Sequence, residues 1–252
     1  VTNIRNRTLA FILIPILVIG SVAAYTLFTY ESGVKTGTWE NHQLLFILID
    51  DTEPQGGGGP GAVDMAYVLN FTNGDIQNMT PIYPGDMEPS NNISAPPDVP
   101  NEANLRLVDS FYWSNLTQDS QYSQEIVQQS TGIKTDGVVI LKPAAVDAII
   151  KAIGPIYVNG TNVNGTDVNG TIEDDDSINF VRSLQYDDNM SRGNAVDALA
   201  TAMKSAASNN SKLPGLISAI SSQYSQGNIV VVPSSLFNQM VTEESLSKIF
   251  GL

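Results

Sequence analysis

The chain has 252 residues, 42% of them hydrophobic, a formal net charge of −14 and no cysteine. That composition supports a globular core and excludes a disordered stalk, disulfides, thiol catalysis and cysteine-held metals. All 26 acidic residues follow Tyr30, where only ten lysines and arginines accompany them, so this part carries about −16. Such a surface repels phosphate backbones, and no nucleic-acid partner is expected.

The first predicted element is a transmembrane helix. Residues 9–28 are an almost unbroken apolar run after Arg5 and Arg7, interrupted only by Pro15 and the hydroxyls of Ser21, Tyr25 and Thr26. About twenty residues at 1.5 Å rise cross the roughly 30 Å hydrocarbon core of a bilayer. No acidic residue precedes Glu31, so the positive-inside tendency makes 1–8 a cytoplasmic stub and 9–30 a signal anchor. Residues 31–43 become a juxtamembrane linker and 44–252 an extracellular domain of a single-pass cell-membrane protein. A cleaved signal peptide is the competing reading, because Val22, Ala23 and Ala24 fit a small-residue cleavage pattern. Either way the remainder is exported.

The pattern Asn-X-Ser/Thr occurs at Asn70, Asn78, Asn92, Asn115, Asn159, Asn164, Asn169, Asn189 and Asn209, and at Asn6 before the anchor. It points to an N-glycosylated outer surface. The alternative is an Asn- and Ser-rich composition that produces the pattern incidentally.

Next comes 44–49 (LLFILI), a continuous apolar run ending at Asp50 and Asp51, which reads as a buried central strand. Pro54, four glycines at 56–59, then Pro60 and Gly61 make a loop. Residues 63–70 and 76–83, separated by Asn73-Gly74, read as a hairpin, and 84–100, with five prolines, as an irregular loop. Helices are expected over 102–111 and 122–129, the second closed by Gly132, then a buried strand over 136–141. Pro143 opens a helix through Ile153, with Val146, Ile149, Ile150 and Ile153 on one face. Residues 158–171 repeat VNGT three times, which suits an exposed hairpin. Helices at 177–184, 192–207 and 214–224, a strand at 228–232 and helices at 235–240 and 243–250 complete the chain. The expected fold is α/β, a mixed sheet with helices on both faces, in one exported domain.

The lone histidine, His42, reads as a surface residue, and histidine-based zinc sites are excluded by count. The glycine run lacks the Lys-Ser/Thr ending of a nucleotide-binding loop. What remains is a set of aspartates at strand ends: Asp50, Asp51, Asp64 and Asp86. Carboxylates converging at a sheet edge hold a hard cation such as Mg²⁺, with water and substrate phosphate completing its shell. The glycine loop offers backbone N–H groups for an anion in the same crevice; the plainer alternative is turn-capping aspartates and a mobile loop. The acidic run 173–176 lacks calcium-loop spacing and suits the amino end of the helix that follows it. Beyond the anchor the arginines are Arg106, Arg182 and Arg192, each a partner for carboxylates or a ligand for phosphate.

The order LLFILIDDTE, a glycine-rich loop, AVDMAYVLNFTNGDIQNMTPIYPGD, DGVVILKPAAVDAIIKAIGPIYVNG, then INFVRSLQYDDNMSRGNAVDALATAM resembles the LytR-CpsA-Psr family. The likeness covers most of 44–208 and looks closest to an archaeal membrane-protein branch related to a domain of unknown function. The resemblance implies a single-pass protein with an extracellular α/β domain that transfers polyprenyl-pyrophosphate-linked glycopolymers, using Mg²⁺ and several arginines. Carried over by position, Asp51 (or Asp50) and Asp64 hold the metal, and Arg182 and Arg192 grip phosphate. Leu184 stands where the second of a pair of arginines is expected, and Glu53, Ala62 and Gly85 replace three more. Two readings follow: Mg²⁺-assisted transfer of a lipid-linked glycan, or a non-catalytic envelope protein that binds surface glycan or a protein partner. A subunit of a surface appendage, packed through 9–28, is a third.

Overall fold

A computed structural model describes residues 41–51, 56–72, 75–99, 102–153, 156–163, 166–172 and 213–236. The elements in chain order are β1 (His42–Asp50), β2 (Ala62–Thr72), β3 (Asp75–Ile82), α1 (Leu116–Thr131) and β4 (Gly137–Leu141). Then follow α2 (Pro143–Ile153), β5 (Ile156–Val163), β6 (Thr166–Ile172), α3 (Leu213–Ser225) and β7 (Ile229–Val232). They fall into two compact units, one holding β1 to β4, α1 and β7, the other α2, β5, β6 and α3.

The first unit is a five-stranded mixed sheet in the order β3-β2-β1-β4-β7. β1 runs parallel to β4 and antiparallel to β2, while β4 and β7 are antiparallel. The run 44–49 is central because it is apolar on both faces, as a strand covered on both sides must be. Leu45, Ile47 and Ile49 join Val63, Ala66, Val68, Val138 and Ile140 in one core with Ile126 and Val127 of α1. On the other face Leu44, Phe46, Leu69 and Phe71 are equally buried, with the Phe46 and Phe71 rings 6.4 Å apart.

Local chemistry sets the ends of α1. Asn115 Oδ1 accepts the Gln118 N–H at 3.2 Å, capping an otherwise unpaired first-turn donor. Gly132, at φ 75, takes the left-handed conformation that closes the helix. The amino ends of β1 and β4 are tied by Asp136, whose Oδ2 accepts the Gln43 N–H at 2.8 Å and whose own N–H donates to the Gln43 carbonyl at 2.7 Å. His42 Nδ1 lies 3.5 Å from the same carboxylate, its side chain only 15% exposed. The histidine expected on the surface is thus drawn in by a carboxylate 94 positions away.

The helix expected over 102–111 is reduced to a 3-10 turn, Leu107–Asp109. Extended pairing wins there: Leu105 N–H donates to the Ile93 carbonyl and Ser90 N–H to the Leu105 carbonyl, each at 2.8 Å. Leu105 and Leu107 are both fully buried, a two-residue spacing that suits an extended segment. The strands at 44–49, 136–141 and 228–232, the 63–83 hairpin and the Pro143 helix all form where the sequence puts them, and 122–129 forms within the longer α1.

In the second unit, α2 packs against α3, which forms over the expected 214–224. β5 and β6 pair as the hairpin read from the VNGT repeat. The apolar run 9–28, the helices expected over 177–184, 192–207 and 243–250, most of the one over 235–240 and the acidic run 173–176 lie outside the described residues. Among the described residues no helix is long and apolar enough to cross a membrane.

Candidate functional site

The carboxyl ends of parallel strands are where open α/β sheets present their sites, because the strands stop there and loops begin. β1 ends at Asp50, half-buried and paired with Ala62, and Asp51 follows it exposed. Across the ladder the register slips: Leu48 faces Met65 but Ile49 faces Val63, so Asp64 is the extra residue of a β-bulge. Its neighbours Val63 and Met65 are buried while Asp64 is half-buried. A bulge breaks strict alternation and re-aims one side chain, here a carboxylate on β2 two positions after Ala62, the partner of Asp50.

These carboxylates are hard oxygen donors, and Mg²⁺ is commonly held by one or two of them with water and phosphate oxygens. Among the described residues no three His, Asp or Glu side chains gather into a metal-binding group. Asp86 sits on the 3-10 turn Pro84–Asp86, exposed. Arg182 and Arg192 lie outside the described residues.

The glycine loop does something the sequence did not reveal. A Cβ on Gly57 would stand 2.3 Å from the Tyr112 ring, and one on Gly59 1.9 Å from the Phe111 carbonyl oxygen. Gly58 bridges Trp113, and Gly59 N–H donates to the Tyr112 carbonyl at 2.9 Å. Gly61, at φ 140, lies against the Asp50 carbonyl, where a Cβ would come within 2.2 Å. The glycines serve close approach between two backbones, and Gly59 spends its N–H on protein, not on an anion. Gly57 and Gly59 are thus packed against the 111–112 backbone and ring, and the Gly59 N–H is not free for an anion.

The loop's partner segment is aromatic. Trp113 meets Tyr112 edge-on at 5.2 Å and Tyr122 of α1 at 5.7 Å. The Tyr112 hydroxyl donates to the Asp98 carboxylate; that hydrogen bond, with burial and the Asp98 charge, raises the Tyr112 pKa. Sequence reasoning also missed Lys142, which follows Leu141 at the carboxyl end of β4, the residue opposite Leu48 of β1. Its backbone stands at the same end of the sheet as Asp50, Asp51 and Asp64, and its place after an apolar strand was the available signal.

Arg106 behaves as an arginine in an acidic domain should, lying 3.0 Å from Glu102. Asp109 nearby has its pKa raised by burial first and by the Glu102 charge second, against the lowering effect of Arg106. Of the asparagines in glycosylation patterns, Asn78, Asn92 and Asn115 are exposed, whereas Asn70 is half-buried in β2 between Gln43 and Asn78. Asn159 and Asn169 lie on β5 and β6. Asn164, Asn189 and Asn209 lie outside the described residues.

The chain is similar in structure to protein gbs0355 from Streptococcus agalactiae, at 14% identity and a TM-score of 0.54, with 82% of this chain and 75% of that chain covered. That likeness shows the mixed α/β fold. Other similar solved structures are TagV of B. subtilis (13% identity, 81% and 80% covered, TM-score 0.47) and a LytR-Csp2A-Psr enzyme from Actinomyces oris (15%, 82% and 78%, 0.46). No curated protein matches the chain. Residues 40–186 match the family described as "Protein of unknown function (DUF4012)". That span exceeds half of the chain and takes in the whole carboxylate edge, and the protein belongs to the DUF4012 family.

Proposed function

We propose that the sheet edge at Asp50, Asp51 and Asp64 binds Mg²⁺ and the pyrophosphate of a lipid-linked glycan, for transfer of that glycan at the cell envelope. The observation that carries this reading is the bulge, which takes Asp64 out of the buried alternation of β2 beside the end of β1. Bound Mg²⁺ would supply charge neutralisation for the pyrophosphate. Asp64 with Asp51 or Asp50 would hold it, while Arg182, Arg192 and Lys142 offer cations for the phosphate oxygens. A signal anchor at 9–28 would keep the site at the outer leaflet, where a lipid-linked headgroup is presented. Glycans on the asparagines of the Asn-X-Ser/Thr pattern would coat an extracellular surface. The LytR-CpsA-Psr resemblance in the sequence and the mixed α/β fold support this assignment.

The test is a thermal melt of the full chain in detergent, with MgCl₂ and farnesyl pyrophosphate as a short polyprenyl pyrophosphate. Ligand at a hundred times its Kd stabilises by about 2.7 kcal/mol, which raises the Tm measurably. Asp64→Ala should fold and lose the rise. A Tm unmoved by the pair of ligands sinks the transfer reading.

The second reading is a glycan-binding envelope protein without catalysis. Glu53, Ala62 and Gly85 favour it, because arginines stand at those positions in the pattern that the chain resembles. It predicts stabilisation by surface glycan with or without Mg²⁺. Membrane fractionation of the native protein and glycopeptide mass at Asn159, Asn164 and Asn169 test anchoring and export.

A further inference from the structure

The buried face of α1 is unusual for a core helix, since Asp119, Ser120 and Ser123 precede Ile126 and Val127 on it. All three polar residues are completely buried. Ser123 Oγ is satisfied by the carbonyls of Asp119 and Ser120, at 2.9 and 3.0 Å. Asp119 Oδ1, Asp119 Oδ2 and Ser120 Oγ have no hydrogen-bond partner. Buried polar atoms are almost always paired, and an ionised carboxylate is the most costly exception. The cheapest remedy is a proton, which removes the charge and turns one orphan acceptor into a donor.

We propose that Asp119 is a proton-binding site that fastens the first turn of α1, and through it the closure of the glycine loop on Trp113. The connection is short. Asp119 N–H donates to the carbonyl of the cap residue Asn115 at 2.9 Å. Asn115 follows Trp113 by two residues, Trp113 bridges Gly58, and Gly61 lies against Asp50. Ionising Asp119 puts an unpaired charge under the turn on which that chain of contacts rests.

The surroundings leave the carboxylate uncompensated. α1 packs against β4, β7 and the 3-10 turn Leu107–Asp109, and its outer side hydrogen-bonds the 88–92 segment. The charged groups these elements bring are Asp109 and Arg106 at the turn, Asp136 and Lys142 at the two ends of β4, and Glu88; Glu125 lies on α1 itself. β7 brings none. Burial is the cause of the Asp119 shift, and it pushes the pKa up to about 7. A helix amino end favours an anion, so here burial wins over the dipole.

The sign follows from linkage. Between the ordinary aspartate pKa and about 7 the folded chain holds a proton on Asp119 that the unfolded chain has released. Stability from this group therefore falls as pH rises through that window and levels off above it.

The experiment compares the full wild-type chain in detergent with Asp119→Asn, an isosteric mimic of the protonated acid, in thermal melts from pH 5 to pH 8. Trp113 fluorescence in a Trp39→Phe background reports the closure. The expected result is a Tm difference that opens with rising pH in favour of Asn, up to about tenfold per pH unit in the folding equilibrium. The Trp113 signal should titrate in wild type only. Parallel Tm curves, or a Trp113 titration that persists in Asp119→Asn, overturn the proposal. Carboxyl ¹³C NMR of the wild type gives the answer without a mutation: a midpoint near neutrality supports it, and one in the ordinary aspartate range overturns it.

Discussion

The middle of β1 and the first turns of α1 are equally buried and chemically opposite. Leu44 to Ile47 are fully enclosed and bring only aliphatic and aromatic groups, so every side chain gains from losing water. Asp119 and Ser120 are enclosed as completely and leave three polar atoms unpaired. The strand stabilises the sheet at any pH that leaves its neighbours folded, whereas the helix turn is conditional on a proton. Burial alone does not reveal which part of a core is firm.

That contrast is most directly broken at Phe46. Phe46→Ala should cost about 3–5 kcal/mol, since the ring is fully buried against Phe71; chemical denaturation would register it, and a loss under about 1 kcal/mol would show the sheet centre to be soft. Gly59→Ala comes next, at about 1–3 kcal/mol, because the new methyl would collide with the Phe111 carbonyl. Gly85→Ala is its control, with nothing within 4 Å of the added carbon, and should leave the melting point in place. Asn115→Ala removes the cap on the conditional turn and should cost about 1 kcal/mol; an unchanged Tm would mean that the first turn is held by packing alone. Smallest is Glu102→Gln, whose partly exposed pair with Arg106 contributes about 0–1 kcal/mol. Its clearer readout is the Asp109 pKa, which should fall once the like charge is gone.

Features set by neighbours in the chain were readable in advance. Pro143 and Gly132 announce a helix start and a helix end, and LLFILI announces a buried strand, because each acts through the residues beside it. Those set by distant partners were not. The glycines at 57 and 59 exist for Tyr112 and Phe111, more than fifty residues later, and nothing between them signals the encounter. The bulge at Asp64 is invisible in AVDMAYVLNF, where both neighbours are apolar and either register buries them. The helix expected over 102–111 failed to a pairing with Ile93 and Ser90 that local propensity does not encode. Asp119 lies before the helix expected over 122–129 and carried no signal of its own; only the longer α1 and its packing made it an exception. Of the candidate site, the carboxylates at the strand end were legible, whereas the geometry that separates Asp64 from its neighbours was not.

The Lys142 N–H donates to the Asn228 carbonyl at 3.0 Å. The chain therefore leaves the sheet after β4 and rejoins it before β7 at a single point, although residues 143–227 come between. A segment whose two ends meet at a hydrogen bond behaves as a cassette: it can lengthen, shorten or be exchanged while the β4–β7 ladder keeps its register, since closing a longer loop adds only slowly to its entropy. During synthesis the same arrangement delays completion. β4 is buried over its whole length, yet it must wait through the entire cassette for β7, and until then one side of the sheet's centre is an open edge.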